Sequence, residues 1–249
     1  MDKNEEYLIR RFEDLYRRSY GTGTWMFTDF LSAGDAALVY RVAGETEVSL
    51  FGGAEGCERV MIRFGNAEEF GYEIPFPIRI LKVAPLQKKF ADELTHRDFL
   101  GALMNLGIER DVLGDIVVKT DHAYVFAAEK IADFITENLF RIKHTSVTVT
   151  VIQDVPEDVA PTLERVEVIV PSLRLDGIVA KLYHLSRQQA KDLFTGGLVL
   201  VNGRLCMNPA GAVKENDILS VRGHGKFAFR RFDHETKKGN RVVVVEKYV

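Results

Sequence analysis

The chain has 249 residues, 46% of them hydrophobic, which is enough to bury the cores of two or three domains. Its two cysteines, Cys57 and Cys206, stand far apart and its six histidines are scattered, so the pattern excludes a disulfide framework and a zinc-ligand spacing. The net charge of −3 is unevenly distributed: residues from Pro171 onward include 14 Lys and Arg against 7 Asp and Glu, whereas residues 1–170 include 19 against 29. This asymmetry is typical of a polyanion-binding module joined to an acidic body.

No apolar stretch approaches the roughly 18 residues that a membrane span needs. The segment Met1–Arg11 is polar and charged and lacks the apolar core of a secretory signal. The glycine-rich stretch Gly52–Gly56 is not followed by Gly-Lys-Ser/Thr, so it does not predict a phosphate-binding loop. We therefore expect a cytoplasmic protein with no membrane partner, no metal and no organic cofactor.

The first predicted domain, residues 1–76, combines helices with a β-hairpin. One helix is predicted at Asn4–Ser19, and a second helix begins at the cap Ser32-x-x-Asp35. Two strands are predicted at Glu47–Phe51 and Glu58–Phe64. We interpret Gly52–Gly56 as the connection between the two strands. Pro75 and Pro77 mark the end of this domain.

The second predicted domain, residues 77–165, has the element order strand, helix, strand, strand, helix, strand. The corresponding ranges are Ile78–Val83, Thr95–Leu106, Asp115–Lys119, Ala123–Ala127, Glu129–Leu139 and Thr145–Ile152. That order predicts a split βαβ, ferredoxin-like fold, which RNA-recognition-motif (RRM) domains also use. The strands lack a Lys-Gly-Phe-Gly-Phe-type sequence, so we expect the RRM topology without an aromatic pair for base stacking.

The third predicted domain, residues 171–249, begins with two short helices. Leu175, Ile178, Val179 and Leu182 form one apolar helical face, and we expect Ser172 to cap this helix. A capping box of Ser186 and Gln189 opens the second helix. Asn202-Gly203 is the preferred dipeptide of a type I′ hairpin turn. The overall expectation is therefore an α+β protein of three small domains.

Cations on the outer side of the second helix are the first candidates for RNA contacts. Arg187 and Lys191 are four residues apart and project away from the inward-facing Ala190, Leu193 and Phe194. We expect reversal of their charges to weaken RNA binding with little loss of stability. The full set of candidate RNA-binding residues is Ser172, Arg174, Lys181, Ser186, Arg187, Gln188, Lys191, Asn202, Arg204, Arg222 and Lys226.

Four blocks of this basic segment resemble a known module. They are Ser172-Leu173-Arg174-Leu175-Asp176, Ser186-Arg187-x-x-Ala190, Gly197-x-Val199-x-Val201-Asn202-Gly203 and Asp217-Ile218-x-Ser220-Val221. In order and spacing they resemble the S-four-type RNA-binding domain, or alpha-L motif. That module occurs in proteins of several activities, so by itself it implies RNA binding and not a particular reaction.

Two segments further upstream resemble one family. Leu94–Ile116 is similar to the middle domain of the YlmH family. Gly52–Arg59 resembles that family's Gly-Gly-x-Glu-Gly-Ala-Glu-Arg segment, with Cys57 in place of the more common Ala. The resemblance implies a monomeric, non-enzymatic RNA-binding protein of the bacterial cytoplasm, without catalytic residues. It also implies association with the large ribosomal subunit through ribosomal RNA and tRNA, in the quality control of stalled translation.

Two alternatives from other classes stay open at this point. Pseudouridine synthases and similar RNA-modifying enzymes often carry the same basic domain, together with a catalytic Gly-Arg-Leu-Asp motif. Arg174-Leu175-Asp176 is not that motif, because it lies at the first helix of the small domain. The other alternative is an interaction scaffold of the cell-division machinery, for which Leu94–Ile116 could supply a docking face.

Overall fold

The structure, a computed structural model, describes residues 3–87, 91–159 and 163–248. The chain divides into two compact units, Met1–Ala160 and Pro161–Val249, and each unit combines helices with antiparallel sheets. The predicted mixture of helix and strand is therefore present. A boundary within the first unit near residue 76 stays a prediction. Across the three described ranges, no helix combines the length and the apolar character needed to cross a bilayer.

The N-terminal half of the first unit packs helices on a small sheet. Its elements are α1 (Lys3–Thr22), β1 (Met26–Phe27), β2 (Leu31–Ser32), α2 (Ala33–Ala36), β3 (Val48–Phe51), β4 (Arg59–Phe64) and α3 (Ala67–Phe70), with a 3-10 helix at Ala37–Arg41. Strand β4 pairs antiparallel with β1, β2 and β3, so the predicted hairpin is confirmed. Ser32 caps α2 by accepting a hydrogen bond from the Asp35 amide, as predicted. Leu8 and Phe12 of α1 are buried in the same core as Ile62.

The second half of this unit has the predicted order of elements. They are β5 (Ile78–Pro85), α4 (His96–Asn105), β6 (Leu113–Val118), β7 (Ala123–Ala128), α5 (Glu129–Asn138), β8 (Arg141–Ile142) and β9 (Thr145–Ile152), with 3-10 helices at Arg110–Val112 and Glu157–Val159. The sheet order is β6-β7-β5-β9-β8, and every neighbouring pair is antiparallel. This is the split βαβ arrangement. The predicted capping box of Thr95 and Asp98 opens α4.

Strand β7 of this second sheet is buried on both faces. Helices α4 and α5 cover one face through a core that includes Leu103 and Ile135. The opposite face carries Tyr124 and Phe126 of β7, which are 4% and 0% exposed. They share a core with Phe30 from the N-terminal half of the unit. Strand β7 therefore does contain two aromatic residues, but both are covered and neither has an open face for base stacking.

The two halves of the first unit are joined by a half-buried arginine. The Arg59 guanidinium donates to the backbone carbonyls of Phe30 at 2.9 Å, Leu113 at 2.8 Å and Arg110 at 3.1 Å. Burial lowers the pKa of Arg59, and the nearby Asp115 carboxylate opposes that shift. The same carboxylate accepts the Arg59 amide at 3.0 Å. Strand β4 is thereby connected to the start of β6.

The glycine-rich stretch also belongs to this junction. Gly53 has a φ of +103°, and a Cβ there would lie 2.4 Å from a ring carbon of Phe126. A side chain would therefore be strained by the backbone and would clash with the ring. The glycine lets the connection between β3 and β4 lie directly against the covered face of the sheet.

The second unit contains a six-stranded sheet and a helix pair. Its elements are β10 (Leu163–Val170), α6 (Leu175–Leu182), α7 (Arg187–Thr195), β11 (Val199–Val201), β12 (Arg204–Leu205), β13 (Ile218–Val221), β14 (Gly225–Glu235) and β15 (Arg241–Tyr248), in the sheet order β10-β15-β14-β13-β11-β12. Ile178 of α6, Phe194 of α7 and Phe227 of β14 share its core. Asn202 and Gly203 both have positive φ, at 50° and 75°, as the predicted type I′ turn requires.

The predicted helix cap at Ser172 was wrong. The N-cap of α6 is Arg174, whose side chain makes no capping hydrogen bond. The first amides of the helix are satisfied instead by backbone carbonyls of a distant loop. The Leu175 amide donates to Gly211 and the Asp176 amide to Pro209, each at 3.0 Å. A side-chain cap is therefore not needed at this helix end.

The covered face of the second sheet predicts an asymmetry between two methionines. Met61 is buried against this face. Met61→Ala should lower the free energy of unfolding of the protein by about 2–5 kcal/mol, because the substitution leaves a cavity. Met104 is 44% exposed on α4, so Met104→Ala should change stability by about 0.5 kcal/mol or less. Urea unfolding followed by the fluorescence of Trp25, the single tryptophan, measures both. Equal losses in the two variants would contradict the burial of this face.

Candidate nucleic-acid interface

The helix pair of the second unit has one buried side and one open side. Ala190 and Phe194 are fully buried, and Leu193 is half-buried against the same core. Lys181 of α6 and Arg187 of α7 are exposed, and Lys191 is half-buried. The second capping box is confirmed, since Ser186 accepts the Gln189 amide at 3.1 Å and Gln189 accepts the Ser186 amide at 2.9 Å. Local sequence therefore places the candidate cations of α6 and α7 away from the core.

A buried carboxylate lies between two of the candidate arginines. The side chain of Asp176 is 0% exposed, and it accepts hydrogen bonds from Nε and Nη2 of Arg174 at 3.1 and 3.0 Å. Nε of Arg187 lies 3.6 Å from the same carboxylate. Burial by itself would raise the pKa of Asp176, but the hydrogen bonds from Arg174 and the charges of both arginines outweigh it and lower the pKa. Asp176 is therefore held as a carboxylate.

The contact with Asp176 distinguishes Arg187 from Lys191, although the sequence predicted both to be equivalent surface cations. Lys191 has no acidic partner among the described residues. Arg187 neutralises a buried charge, and a glutamate in its place would set two carboxylates against each other. The expectation that reversal at Arg187 costs little stability stays a prediction, and the pairing with the buried Asp176, which the sequence does not show, argues for a larger cost.

Several polar candidates have local structural partners. Gln188 donates to the carboxylate of Asp192 at 2.8 Å. The Asn202 side chain donates to Asp217 and accepts the Ile218 amide, each at 2.8 Å, which links the hairpin turn to the start of β13. Together with the Ser186 cap, these contacts give the polar candidates a structural role within the unit. Ser172 is half-buried in the loop before α6.

The remaining candidates lie on the sheet. Arg204 is on β12, Arg222 follows β13 and Lys226 is on β14. The ammonium of Lys226 lies 4.4 Å from the ring centroid of Tyr248, which is within the range of a cation–π contact. Arg204 and Arg222 are exposed. The structure thus divides the candidates between the helix pair and one set of strands of the same unit.

Ion pairing sorts the cations of the second unit into two groups. Residues 163–248 contain five arginines in salt bridges: Arg174, Arg187, Arg230, Arg231 and Arg241. In the same range, the open cations, meaning those without an acidic partner, are Arg165, Lys181, Lys191, Lys214, Arg222, Lys237, Lys238 and Lys247. An anionic ligand can bind an open cation without first breaking an existing ion pair.

Sequence reasoning missed Lys237 and Lys238. They lie in the turn between β14 and β15, which the Thr236 amide closes by donating to the Asn240 carbonyl at 2.7 Å. Gly239 has a φ of +77° in this turn. The signal was present, because a Lys-Lys-Gly-Asn stretch shortly before the β-branched run Val242–Val245 is typical of an exposed turn that leads into a strand.

A helix pair with outward cations, followed by a hairpin and an antiparallel sheet, defines a small RNA-binding domain. The family described as "S4 domain" matches residues 173–219, and "Putative RNA-binding domain in YlmH" matches residues 73–155. The chain is 31% identical over 233 residues to "Ribosome-associated protein quality control protein P2" of Bacillus subtilis (strain 168), which covers 88% of this chain and 86% of that protein. The chain belongs to the YlmH family and carries a C-terminal S4 RNA-binding domain.

A solved structure gives a partial match. "Cell division protein ylmH from Streptococcus pneumoniae" aligns with a TM-score of 0.49 at 19% identity, over 61% of this chain and 93% of that chain. The S4 match ends at residue 219, inside β13, so β14 and β15 lie beyond it. The exposed turn with Lys237 and Lys238 is therefore outside the matched domain.

The Asp176 cluster predicts unequal effects for its two arginines. Arg174→Ala should lower the free energy of unfolding more than Arg187→Ala at neutral pH. The reason is that Arg174 donates two hydrogen bonds to the buried carboxylate, whereas Arg187 approaches it at 3.6 Å. Chemical denaturation of the full chain, followed by the circular dichroism of its β-sheet, compares the two variants.

The pH dependence provides the control. Because the folded-state pKa of Asp176 is lowered, its pairing stabilises the fold above the unfolded pKa of about 3.9 and is lost as pH falls through the folded pKa. The gap between wild type and Arg174→Ala should therefore shrink below about pH 4. A gap that is unchanged at low pH would mean that Arg174 stabilises the unit by packing alone.

Proposed function

We propose that this protein is a non-catalytic RNA-binding factor that binds ribosomal RNA and tRNA on the large ribosomal subunit, in the quality control of stalled translation. The observation that carries the proposal is the set of open cations on an S4 domain of the YlmH family. The printed name of the Bacillus subtilis relative, a ribosome-associated quality control protein, supports the ribosomal setting. The protein acts in the cytoplasm as a monomer without a cofactor.

Within the second unit, the open cations are proposed as the phosphate contacts. Lys181 and Lys191 of the helix pair and Arg222 beside the sheet bind the RNA backbone, and Lys237 and Lys238 extend this surface. Arg174 and Arg187 hold Asp176 and thereby position the start of α6 and the first turn of α7. Arg204 and Lys226 add contacts along the strands. Phosphate contacts give affinity and orientation, but they carry little information about base sequence.

Specificity then has to come from other parts of the chain. Residues 1–170 carry an excess of acidic residues and are unsuited to non-selective binding of an RNA backbone. We propose that the N-terminal and middle domains recognise surfaces of the large subunit and of bound tRNA that are exposed only when the subunit interface is open. The covered aromatic pair of the middle domain supports a mode of recognition other than that of an RRM sheet.

Charge reversal at two open cations tests the phosphate contacts. Lys181→Glu combined with Lys191→Glu should weaken the binding of structured ribosomal RNA and reduce the slope of log K against log salt by about 2. Fluorescence anisotropy across a salt series measures the slope. Arg10→Glu combined with Arg17→Glu is a matched control, because both residues are exposed on α1 and the net charge changes equally. Equal loss in both double variants would mean that only net charge matters.

Sedimentation tests the proposed partner. Tagged protein in cell extracts should travel with free large subunits, and more so after translation is stalled and the ribosomes are split. The Lys181/Lys191 reversal should leave it at the top of the gradient, while the α1 control should sediment like wild type. Comigration with small subunits or with translating polysomes would contradict the proposal.

A further inference from the structure

A groove lies on the helical side of the split βαβ fold in the first unit. It has a volume of about 630 Å³, and α4 forms one wall with Arg97 and Asn105. The segment after α5 forms the other wall with Phe140 and Arg141. The groove therefore lies between two elements whose inner sides are fixed by the core that contains Leu103.

The ring of Phe140, on the wall formed by the segment after α5, is exposed to solvent. Phe140 is 65% exposed, although it directly follows Leu139, which is buried in the core. Its backbone is held in place, because the carbonyl of Phe140 accepts the Val147 amide at 2.9 Å. A large aromatic side chain on a fixed backbone with most of its surface in water provides a flat face for a stacking partner.

The charge of the groove is positive. Asp98, its acidic lining residue, accepts the Thr95 amide and the Lys143 ammonium, each at 2.8 Å. These hydrogen bonds, with that of Lys143 the largest, lower the pKa of Asp98 to about 2. Arg97 and Arg141 are both exposed, and neither has an acidic partner among the described residues. Two guanidinium groups on opposite walls are therefore available to an anion.

The aromatic pair on the other side of the same sheet is closed to an RNA ligand. Tyr124 and Phe126 occupy the face on which RRM domains stack bases, and both are buried beneath Phe30 and its neighbours. An RNA strand that contacts this fold therefore cannot stack its bases on these two rings. The groove is a described surface that combines an exposed aromatic ring with unpaired arginines.

We propose that this groove binds a single-stranded RNA segment, with a base stacked on Phe140 and the neighbouring phosphates held by Arg97 and Arg141. The inference rests on the proposed RNA-binding function and assigns a second site for it. Aromatic stacking combined with arginine contacts to the backbone is the general mode of single-strand recognition. A protein ligand is less well matched, because two unpaired guanidinium groups beside one ring favour a polyanion over an apolar helix.

The test uses the full-length chain and a fluorescent single-stranded oligouridine. Phe140→Ala should weaken its binding about 5- to 100-fold, the range expected for the loss of one stacked base. Arg97→Ala combined with Arg141→Ala should also weaken it and should lower the salt slope by about 2. Tyr7→Ala and Arg10→Ala combined with Arg17→Ala, all on exposed positions of α1, are the matched controls and should bind like wild type. Circular dichroism verifies that each variant is folded.

Crosslinking distinguishes failure of this site from failure of the proposed function. Ultraviolet crosslinks to oligouridine should map to the tryptic peptide 131–141, which contains Phe140, and should disappear in Phe140→Ala. Crosslinks confined to residues 163–248, with unchanged affinity in the groove variants, would overturn the groove while leaving RNA binding by the S4 domain intact. Groove variants that keep their RNA affinity but leave the large-subunit fraction would show a protein contact and would also overturn it. A wild-type chain that binds neither oligouridine nor ribosomal RNA would refute both.

Discussion

The burial of strand β7 on both of its faces is the constraint on which the first unit depends. Arg59 donates to three backbone carbonyls across the junction, and Gly53 lets the hairpin connection lie against Phe126 without a clash. The two halves of the unit thus share a core that includes Phe30 and Tyr124. Because this core covers the aromatic pair on the face where related topologies stack bases, any stacking of bases on this unit has to use other side chains.

In the second unit, one buried carboxylate places a comparable constraint on the surrounding side chains. Asp176 lies in the first turn of α6, and its buried carboxylate pairs with Arg174 and Arg187. Both arginines belong to the sequence blocks that resemble the S4 domain. An ion pair of this kind is weak evidence for added stability, because desolvation offsets much of the attraction. Its consequence for function is clearer. It pairs two motif arginines with a buried charge, whereas Lys181 and Lys191 have no acidic partner among the described residues.

The distribution of paired and open cations refines the argument from net charge. The excess of basic residues in the C-terminal segment includes both cations in salt bridges and open cations. Arg230 and Arg241 pair with acidic side chains on the same long hairpin, so they contribute little to an external anion. Lys237 and Lys238 at its turn have no such partner among residues 163–248. An RNA backbone would therefore meet two separated sets of cations, one on the helices and one at the hairpin tip.

The sequence by itself determined the elements of this fold, because caps, turns and hydrophobic periods are local. The box at Ser186 and the turn at Asn202 formed as predicted, as did the order of strands and helices from residue 78 to residue 152. Only the tertiary structure decided which side chains remain available. The covering of Phe126 depends on Phe30, almost a hundred positions away in the chain, and the pairing of Arg187 depends on the burial of Asp176. Local patterns orient a side chain, but distant segments decide whether it meets water, a core or an opposite charge.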